Sequence, residues 1–313
     1  MKKYSQKIIL LFLWLAGMFL CPVKGQPAEY YYNMGMARLE QGYFSEAISF
    51  FNTAIREQPS YSKAYLARAR AKLIAGELAA ALSDAGKSCM LDPADAMACY
   101  TRACIYNAMG ERQKALNDLE EALKKNPALA IAKAEKIITQ YLLTGNKHFF
   151  KELEEAMEKK PEAWMFYARG MMYTIGKKYR KAIRDFNKTT AMDSLFNAYE
   201  VHWNKGYTLL QIKHGEEALK EAETAIRLKN GMPKGYFLRG QIHYAQNHFK
   251  EALADFETTL RFLPGDGYAL LNAGLCYLKL DNLPAACKYF HSSCEQGNQT
   301  GCKMAIIHCR KSN

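Results

Sequence analysis

Residues 28–61 read AEYYYNMGMARLEQGYFSEAISFFNTAIREQPSY, and this stretch decides the fold. Gly42 lies near its middle, where a glycine can adopt left-handed backbone angles at little cost. Pro59 lies near its end, and a proline cannot continue a helix. The segments between these two residues and before Gly42 are rich in residues that favour helix. The stretch therefore predicts two helices joined by a turn and followed by a second turn.

The same pattern returns at a spacing of 34 residues. In the quoted stretch it consists of Gly35, Ala47, Phe51, Ala54 and Pro59. The matching positions elsewhere are Ala69, Ala81, Ala85, Ser88 and Pro93; Ala103, Ala115, Leu119, Ala122 and Pro127; Gly240, Ala252, Phe256, Thr259 and Pro264; and Gly274, Ala286, Phe290 and Ser293. Small residues allow two antiparallel helices to cross closely, and Phe or Leu fills the space between neighbouring hairpins. A hairpin that cannot bury its apolar face alone stacks on its neighbours, so the repeat predicts a solenoid.

This spacing and these residues resemble the tetratricopeptide repeat family, from residue 28 to about residue 300. The resemblance implies an all-α, right-handed α-solenoid of about eight helix-turn-helix repeats, with about sixteen helices and a concave groove. The fourth repeat departs from the pattern because Ile137 and Phe149 occupy positions of small residues, and the sixth has Asn230 in place of the closing proline. The repeats are assigned to residues 28–61, 62–95, 96–129, 130–162, 163–196, 199–232, 233–266 and 267–300, and residues 301–313 to a C-terminal capping helix.

The resemblance also implies where a partner binds. In the family, the first helix of each repeat lines the groove, at the second, fifth, ninth, twelfth and thirteenth positions of the repeat. Those positions predict a peptide-binding groove formed by Tyr32, Arg70, Tyr100, Tyr141, Trp164, Tyr167, Trp203, Tyr207, Phe237 and Tyr244, with Tyr268, Lys63, Asn107, Gln211 and Lys234 beside them. Tyr and Trp dominate binding hot spots. The alternative for any one aromatic residue is that it packs between helices.

Some members of the family hold a C-terminal carboxylate with a clamp of lysine and asparagine side chains. No three consecutive repeats here supply that set, although Asn204 and Lys234 match two of its five positions. A chaperone tail is therefore not the expected partner, and binding is expected to rely on aromatic contacts.

The N-terminal residues resemble a secretory signal. Lys2, Lys3 and Lys7 precede the uncharged apolar stretch 8–20, which at 13 residues is short for a membrane span of about 20. Residues 1–25 are therefore predicted to be a signal peptide cleaved near Gly25, which would lower the formal charge of +12 by four lysines. An uncleaved anchor, or lipid attachment at Cys21, are the alternatives. The expected location is exported, in the periplasm or cell envelope, or secreted.

Eight of the nine cysteines follow this segment, and an even number in an exported chain suggests disulfides. The segment from Cys294 to Cys302 resembles the cysteine-rich Sel1-like repeats, in which cysteines eight apart join one helix to the next. That resemblance implies a Cys294–Cys302 bridge. Cys287–Cys309 and Cys89–Cys99 are two further pairings that the cysteine content allows.

Zinc is an alternative use of the C-terminal cysteines. Cys287, His291 and Cys294 share one helix face, and Cys302 could complete a four-ligand set. An oxidising compartment favours disulfides instead, so no metal or other cofactor is expected.

Lys177, Lys178, Arg180, Lys181 and Arg184 form a basic run in the fifth repeat. A solvated helix face is the ordinary interpretation. An anionic lipid surface or an acidic partner is the alternative, and export argues against nucleic acid.

No catalytic motif in the sequence is accompanied by the other motifs that its chemistry requires. Residues 60–63 read SYSK and match the Ser-x-x-Lys pattern of penicillin-recognising enzymes, but the companion motifs are missing. The repeats leave no room for a separate catalytic domain, so the chain is not expected to be an enzyme.

The leading hypothesis is a protein–protein interaction scaffold of the bacterial cell envelope that binds a peptide or helix in its groove. The alternative is an accessory protein that binds or processes envelope glycan or peptidoglycan. The sequence leaves the oligomeric state open.

Overall fold

A computed structural model describes residues 27–309 of the chain, which form seventeen α-helices and no β-strand within that range. The helices are α1 (Ala28–Glu40), α2 (Phe44–Glu57), α3 (Ser62–Ile74), α4 (Leu78–Leu91), α5 (Ala96–Ala108), α6 (Arg112–Lys125), α7 (Ala130–Thr144), α8 (His148–Lys159), α9 (Ala163–Ile175), α10 (Tyr179–Met192), α11 (Ala198–Gln211), α12 (Gly215–Leu228), α13 (Pro233–Ala245), α14 (Phe249–Phe262), α15 (Gly267–Lys279), α16 (Leu283–Glu295) and α17 (Gln299–His308). The predicted signal peptide, residues 1–25, lies outside the described residues, as does the end of the predicted capping helix, residues 310–313.

The helices pack in the order in which they occur in the chain. With one exception, each odd-numbered helix pairs with the next helix, and the second helix of the pair packs on the first helix of the following pair. Packing therefore remains between neighbours along the array. This is the all-α repeat solenoid that the sequence predicts.

At the crossing point of several hairpins, a small residue on the first helix faces a large side chain on the second. A Cβ atom built on Gly240 would lie 2.9 Å from the ring of Phe256, and one on Gly170 would lie 2.9 Å from the ring of Phe186. In the third repeat Ala103 stands at the glycine position, where Leu119 replaces the phenylalanine. In these repeats the first helix carries glycine where the second carries phenylalanine, and alanine where the second carries leucine.

A buried ion pair joins the two helices of several hairpins, sixteen residues apart. In the third repeat, Arg102 Nε and Nη2 donate to the two carboxylate oxygens of Asp118 at 2.7 and 2.6 Å, and Asp118 is only 5% exposed. The same two-bond geometry occurs in Arg68–Asp84, Arg169–Asp185 and Arg239–Asp255. When a planar guanidinium donates two parallel hydrogen bonds to a carboxylate, the pair has a defined orientation in addition to its electrostatic attraction. These pairs therefore help to fix the relative orientation of the two helices in the four hairpins that contain them.

The fourth hairpin is the exception to the packing order. Its first helix, α7, packs along α9, and close backbone approach between α7 and α8 is sparse. Ile137 stands where other repeats have glycine or alanine, and α8 reaches the core through longer side chains, including Phe149 and the buried Leu153. A bulky residue at the crossing point keeps two helices apart, which explains the looser hairpin.

The solenoid closes on itself. The turn between α1 and α2 lies against the turn between α12 and α13, where Gly42 and Gly231 are both buried. A Cβ atom built on Gly42 would lie 2.5 Å from the carbonyl oxygen of Gly231 and 2.5 Å from the ring of Phe262. Gly42 also has a φ of +83°, so both its backbone angles and the close approach require glycine.

Disulfides fasten the last helix. Cys287 is bonded to Cys309 and Cys294 to Cys302, so α17 is joined to α16 at both of its ends. The sulfurs required for the zinc alternative are therefore occupied, and no cluster of three or more metal-ligating side chains occurs among residues 27–309.

The expected Cys89–Cys99 bridge is absent. The two thiols lie close, with sulfurs 4.0 Å apart, but are not bonded. The two cysteines face each other across the interface between α4 and α5, but the disulfide expected from the sequence is not formed.

No helix in the described part of the chain is long and apolar enough to cross a bilayer.

Candidate protein-binding site

Side chains from successive first helices face one shared interior. Burial, and charges on one another or on Glu200 of α11, raise the pKa values of Tyr100 and Cys104 on α5, Glu135 on α7 and Tyr167 on α9. These helices belong to four different repeats, so the side chains can interact only if the concave surface curves around them. The first helices therefore line the inner face of the solenoid.

Glu135 is the most perturbed acid on this inner face. Burial, and then the nearby charge of Glu200, raise the pKa of Glu135 to about 7, while Lys234 opposes the shift. Within residues 27–309 Glu135 makes no hydrogen bond or ion pair with another side chain. Burial also raises the pKa of Cys104 to about 12, so this thiol stays protonated at neutral pH.

Trp164 and Tyr167 are buried in the core rather than exposed in the groove. Trp164 is 8% exposed and its Nε1 donates to Glu162 Oε2 at 3.1 Å. Tyr167 is 3% exposed and packs on the rings of Phe186 and Phe196. For these two residues the structure matches the alternative that aromatics pack between helices.

Four more of the predicted groove aromatics are half-buried and pack on rings of their own or the next hairpin. The ring centroids are 5.4 Å apart for Tyr32–Tyr61, 5.5 Å for Tyr141–Phe150, 5.6 Å for Phe237–Phe256 and 5.4 Å for Tyr244–Phe249. Tyr100 is half-buried beside Cys104, and Arg70 is exposed. One edge of each ring therefore supports the core while another part remains open to solvent.

Trp203 and Tyr207 form an ordered, half-exposed aromatic surface. Their rings stack with an interplanar angle of 5° and a centroid distance of 5.9 Å. Trp203 Nε1 donates to the carbonyl oxygen of Lys234 at 3.0 Å, and the Lys234 ammonium lies 5.7 Å above the indole ring. The hydrogen bond and the cation–π contact hold the indole in one orientation before any partner arrives.

A cavity of about 250 Å³ opens beside Trp203. It lies between α11, α13 and α15, and the residues that line it are Trp203, Pro233, Lys234, Phe237, Gln241, Thr259, Leu263, Asp266, Tyr268 and Asn272. Tyr268 at its edge is 69% exposed, the most exposed of the aromatic side chains described. We refer to Trp203, Tyr207, Lys234, Phe237 and Tyr268 together as the aromatic cleft.

Several residues of the inner face are not among the predicted groove residues. Cys104, Glu200 and Gln241 stand at second or ninth positions of their repeats, which the groove pattern covers. Glu135 and Asn272 stand at the sixth position, which the pattern does not include. Only the folded arrangement brings these side chains to the concave surface.

The basic run predicted in the fifth repeat lies at and beyond the turn into α10. Lys177, Lys178, Arg180, Lys181 and Arg184 are all exposed, and Lys181 lies 5.6 Å from the ring centroid of Tyr173. The exposure of all five side chains agrees with the ordinary interpretation of such a run as a solvated helix face.

Comparison with known proteins gives three matches to models of the tetratricopeptide repeat, over residues 28–61, 96–129 and 237–299. The chain is also similar to the peptidyl-prolyl cis-trans isomerase FKBP4 of Rattus norvegicus, with 27% identity over 121 residues, covering 34% of this chain and 26% of that protein. The Homo sapiens protein of the same name is 26% identical over 125 residues, covering 36% of this chain and 27% of its own length. The chain thus spans about a quarter of the length of these relatives.

Among solved structures, a tetratricopeptide repeat protein from Parabacteroides merdae aligns with a TM-score of 0.48 and 18% identity, over 80% of this chain and 99% of that one. The Sel1-like character of the last segment stays a prediction. The three repeat-model matches lie at the first hairpin, the third hairpin and the last two hairpins, and show that the chain contains tetratricopeptide repeats.

Proposed function

We propose that this protein is a scaffold that binds an extended or helical segment of a partner protein in its aromatic cleft. Tetratricopeptide repeats are protein–protein interaction modules, generally without catalytic activity, so an interaction scaffold follows from the family. The isomerase activity named for the relatives is not part of the proposal, because the match covers only about a quarter of their length.

The cavity beside the fixed indole of Trp203 is the observation that carries the proposal. Aromatic side chains held in place before binding lose little entropy when a partner arrives. Tyr268 leaves most of its ring in solvent, where a partner can cover it. An aromatic anchor next to an open cavity is the arrangement found at the centre of binding hot spots.

The polar groups around the cleft indicate the chemistry of the bound segment. Lys234, Gln241 and Asn272 line the cavity and can hydrogen-bond to backbone or side-chain groups of a peptide. The cavity of about 250 Å³ would admit an apolar side chain. We therefore propose a segment that places an apolar residue in the cavity and polar groups on its rim.

We further propose that the protein works in the cell envelope after export. The N-terminal basic and apolar residues and the paired C-terminal cysteines support this location, since disulfides persist in oxidising compartments. The eight hairpins, with the boundaries given above, form the scaffold in this proposal.

Photo-crosslinking tests the binding site. A photoreactive phenylalanine derivative replaces Tyr268 in the cleft or, as a control, Met90, which is 75% exposed on α4. Crosslinking in whole cells should capture one specific protein from position 268 and not from position 90. The captured protein is then purified and its affinity measured directly against wild type, Trp203→Ala and a control Tyr30→Ala.

Trp203→Ala should weaken binding at least tenfold, because a hot-spot aromatic contributes about 2 kcal/mol or more. Tyr30→Ala, an exposed aromatic on α1, should bind like wild type. Equal affinities for the two variants would contradict the cleft as the binding site. Specific retention on purified peptidoglycan or glycan that is lost in Trp203→Ala would favour the glycan-binding alternative instead.

A further inference from the structure

Two thiols and an ammonium group meet at the interface of the second and third repeats. Cys89 lies near the end of α4, Cys99 near the start of α5, and Lys125 at the end of α6. The Cys89 and Cys99 sulfurs are 4.0 Å apart, and Lys125 Nζ donates to Cys99 Sγ at 2.9 Å. Three helices thus place two sulfurs and one cation together, away from the aromatic cleft.

The two residues differ in exposure to solvent. Cys99 is 3% exposed, whereas Cys89 is half-buried. We therefore expect an external thiol to reach Cys89 more readily than Cys99. This asymmetry assigns different chemical roles to the two cysteines.

The charges around the pair favour a thiolate at Cys99. Hydrogen bonds from Cys89 and then Lys125 lower the pKa of Cys99 to about 6, although burial and Asp118 act in the opposite direction. The shared hydrogen bond, burial and the charge of Cys99 raise the pKa of Cys89, which keeps its proton. Arg102 and Asp118 also face the pair, but they are bound to each other.

We propose that Cys89 and Cys99 form a reversible disulfide, in which Cys89 is the sulfur attacked by an external thiol and Cys99 is the leaving thiolate held by Lys125. A leaving thiol of low pKa departs faster, and a cation that stabilises the reduced form makes a disulfide easier to reduce. The C-terminal bonds, Cys287–Cys309 and Cys294–Cys302, have no such lysine contact among the described hydrogen bonds and join α17 to α16.

The exchange is balanced with a dithiol as the reductant. Its first thiolate attacks Cys89 Sγ, the Cys89–Cys99 bond breaks, and the bonding electron pair stays on Cys99 beside Lys125. The second thiolate of the dithiol then attacks the dithiol's first sulfur, which is now bonded to Cys89. The Cys89 sulfur leaves as a thiolate and takes up a proton. The dithiol has become a disulfide and has lost two electrons and two protons. The protein has gained both electrons and one proton, and the other proton enters solvent.

Oxidation runs the same steps in reverse, with a small-molecule or protein disulfide as the oxidant. Closing the bond would tie α4 to α5 and fix the interface between the second and third repeats. Opening it would leave that interface held by the packing of α4 against α5. The pair is therefore a redox-controlled link within the solenoid.

Equilibration of the full protein in glutathione buffers, followed by thiol labelling and mass spectrometry, tests the proposal. Cys89–Cys99 should oxidise and reduce over a range of buffers in which both C-terminal disulfides stay closed. A pair that remains unbonded in oxidised glutathione would overturn the proposal, and so would a bond that opens only together with the C-terminal ones.

Lys125→Met, compared with Lys124→Met, tests the role of the cation. Lys124 is the adjacent residue but is exposed and pairs with Glu121, so its substitution is a matched control. Lys125→Met should shift the equilibrium about tenfold towards the disulfide, or about 30 mV for this two-electron couple, with unchanged helical circular dichroism. Equal potentials for the two variants would overturn the role given to Lys125.

Trapping of the mixed disulfide tests which sulfur is attacked. The oxidised protein is exposed briefly to reduced glutathione, quenched in acid and mapped by mass spectrometry, and the glutathione adduct should lie on Cys89. An adduct on Cys99 would overturn the assignment of Cys89 as the exchanging sulfur.

Discussion

Individual residues of the inner face show what sequence position alone can and cannot predict. Trp203 and Trp164 stand at groove positions of their repeats, yet Trp203 lines an open cavity and Trp164 is 8% exposed. Trp164 differs because the fourth hairpin, which precedes it, is loose and lets α7 pack along α9. The position predicts that a side chain points inward, but neighbouring repeats determine whether solvent reaches it.

Glu135 provides a prediction about pH at this scale. Its pKa is raised to about 7 by burial and by Glu200, whereas an unfolded glutamate titrates near 4.5. Between these two values the native protein holds a proton that the unfolded chain has lost, so this group makes stability fall as the pH rises. Glu135→Gln cannot ionise and should remove this part of the pH dependence.

We therefore expect Glu135→Gln to be more stable than wild type at pH 8, by about 1–3 kcal/mol, and close to wild type at pH 4.5. Urea unfolding of both proteins across this range measures the difference. Glu158→Gln on the exposed face of α8 is the control and should not show a pH-dependent gain. A gain for Glu135→Gln that is the same at both pH values would contradict the expectation.

Helix pairs were the most predictable level of the structure. Gly35, Gly240 and their counterparts recur at a fixed spacing, and a crossing of neighbouring helices depends only on residues within one hairpin. Ile137 at the same position signalled the departure of the fourth hairpin. The Arg102–Asp118 ion pair and its counterparts follow the same repeat spacing and were available in the sequence, but charged residues on helices are ordinarily assigned to solvent.

The match between glycine and phenylalanine can be tested within one hairpin. In Gly240→Ala the new Cβ would lie 2.9 Å from the Phe256 ring, and overpacking of this kind costs about 1–3 kcal/mol. This exceeds the gain of about 1 kcal/mol that alanine brings to a helix, so a net loss of stability is expected. Adding Phe256→Leu reproduces the Ala103 and Leu119 pair of the third repeat and should recover part of the loss.

Urea unfolding of Gly240→Ala, Phe256→Leu and the double variant measures this coupling. The double variant should be more stable than the sum of the single changes indicates. Gly86→Ala is the matched control, because Gly86 lies within α4 and a Cβ there would meet nothing within 4 Å. That variant should gain about 0.5–1 kcal/mol. If the stability changes of the two single variants simply add up in the double variant, Gly240 and Phe256 are not matched.

The shape of the whole molecule was the least predictable level. The turn of one hairpin meets the turn between two others far along the chain, at Gly42 and Gly231. This contact depends on small rotations accumulated over several repeats, including the loose fourth hairpin, and no single segment of sequence encodes it. Gly42 was singled out in the sequence as a turn residue, but its equivalents Gly76 and Gly110 have the same role without the long-range contact.

These equivalents allow closure of the solenoid to be separated from local strain. Gly42 and Gly76 have φ values of +83° and +81°, so alanine at either site has a similar backbone cost of about 1 kcal/mol. A Cβ at Gly76 would meet nothing within 4 Å, whereas one at Gly42 would collide with Gly231 and Phe262. Gly42→Ala should therefore separate the two turns, and Gly76→Ala should leave them together. Small-angle X-ray scattering should show a larger radius of gyration for Gly42→Ala alone, with faster amide exchange at residues 41–43 and 230–232. The same radius and exchange rates in both variants would mean that the two turns do not hold the solenoid closed in solution.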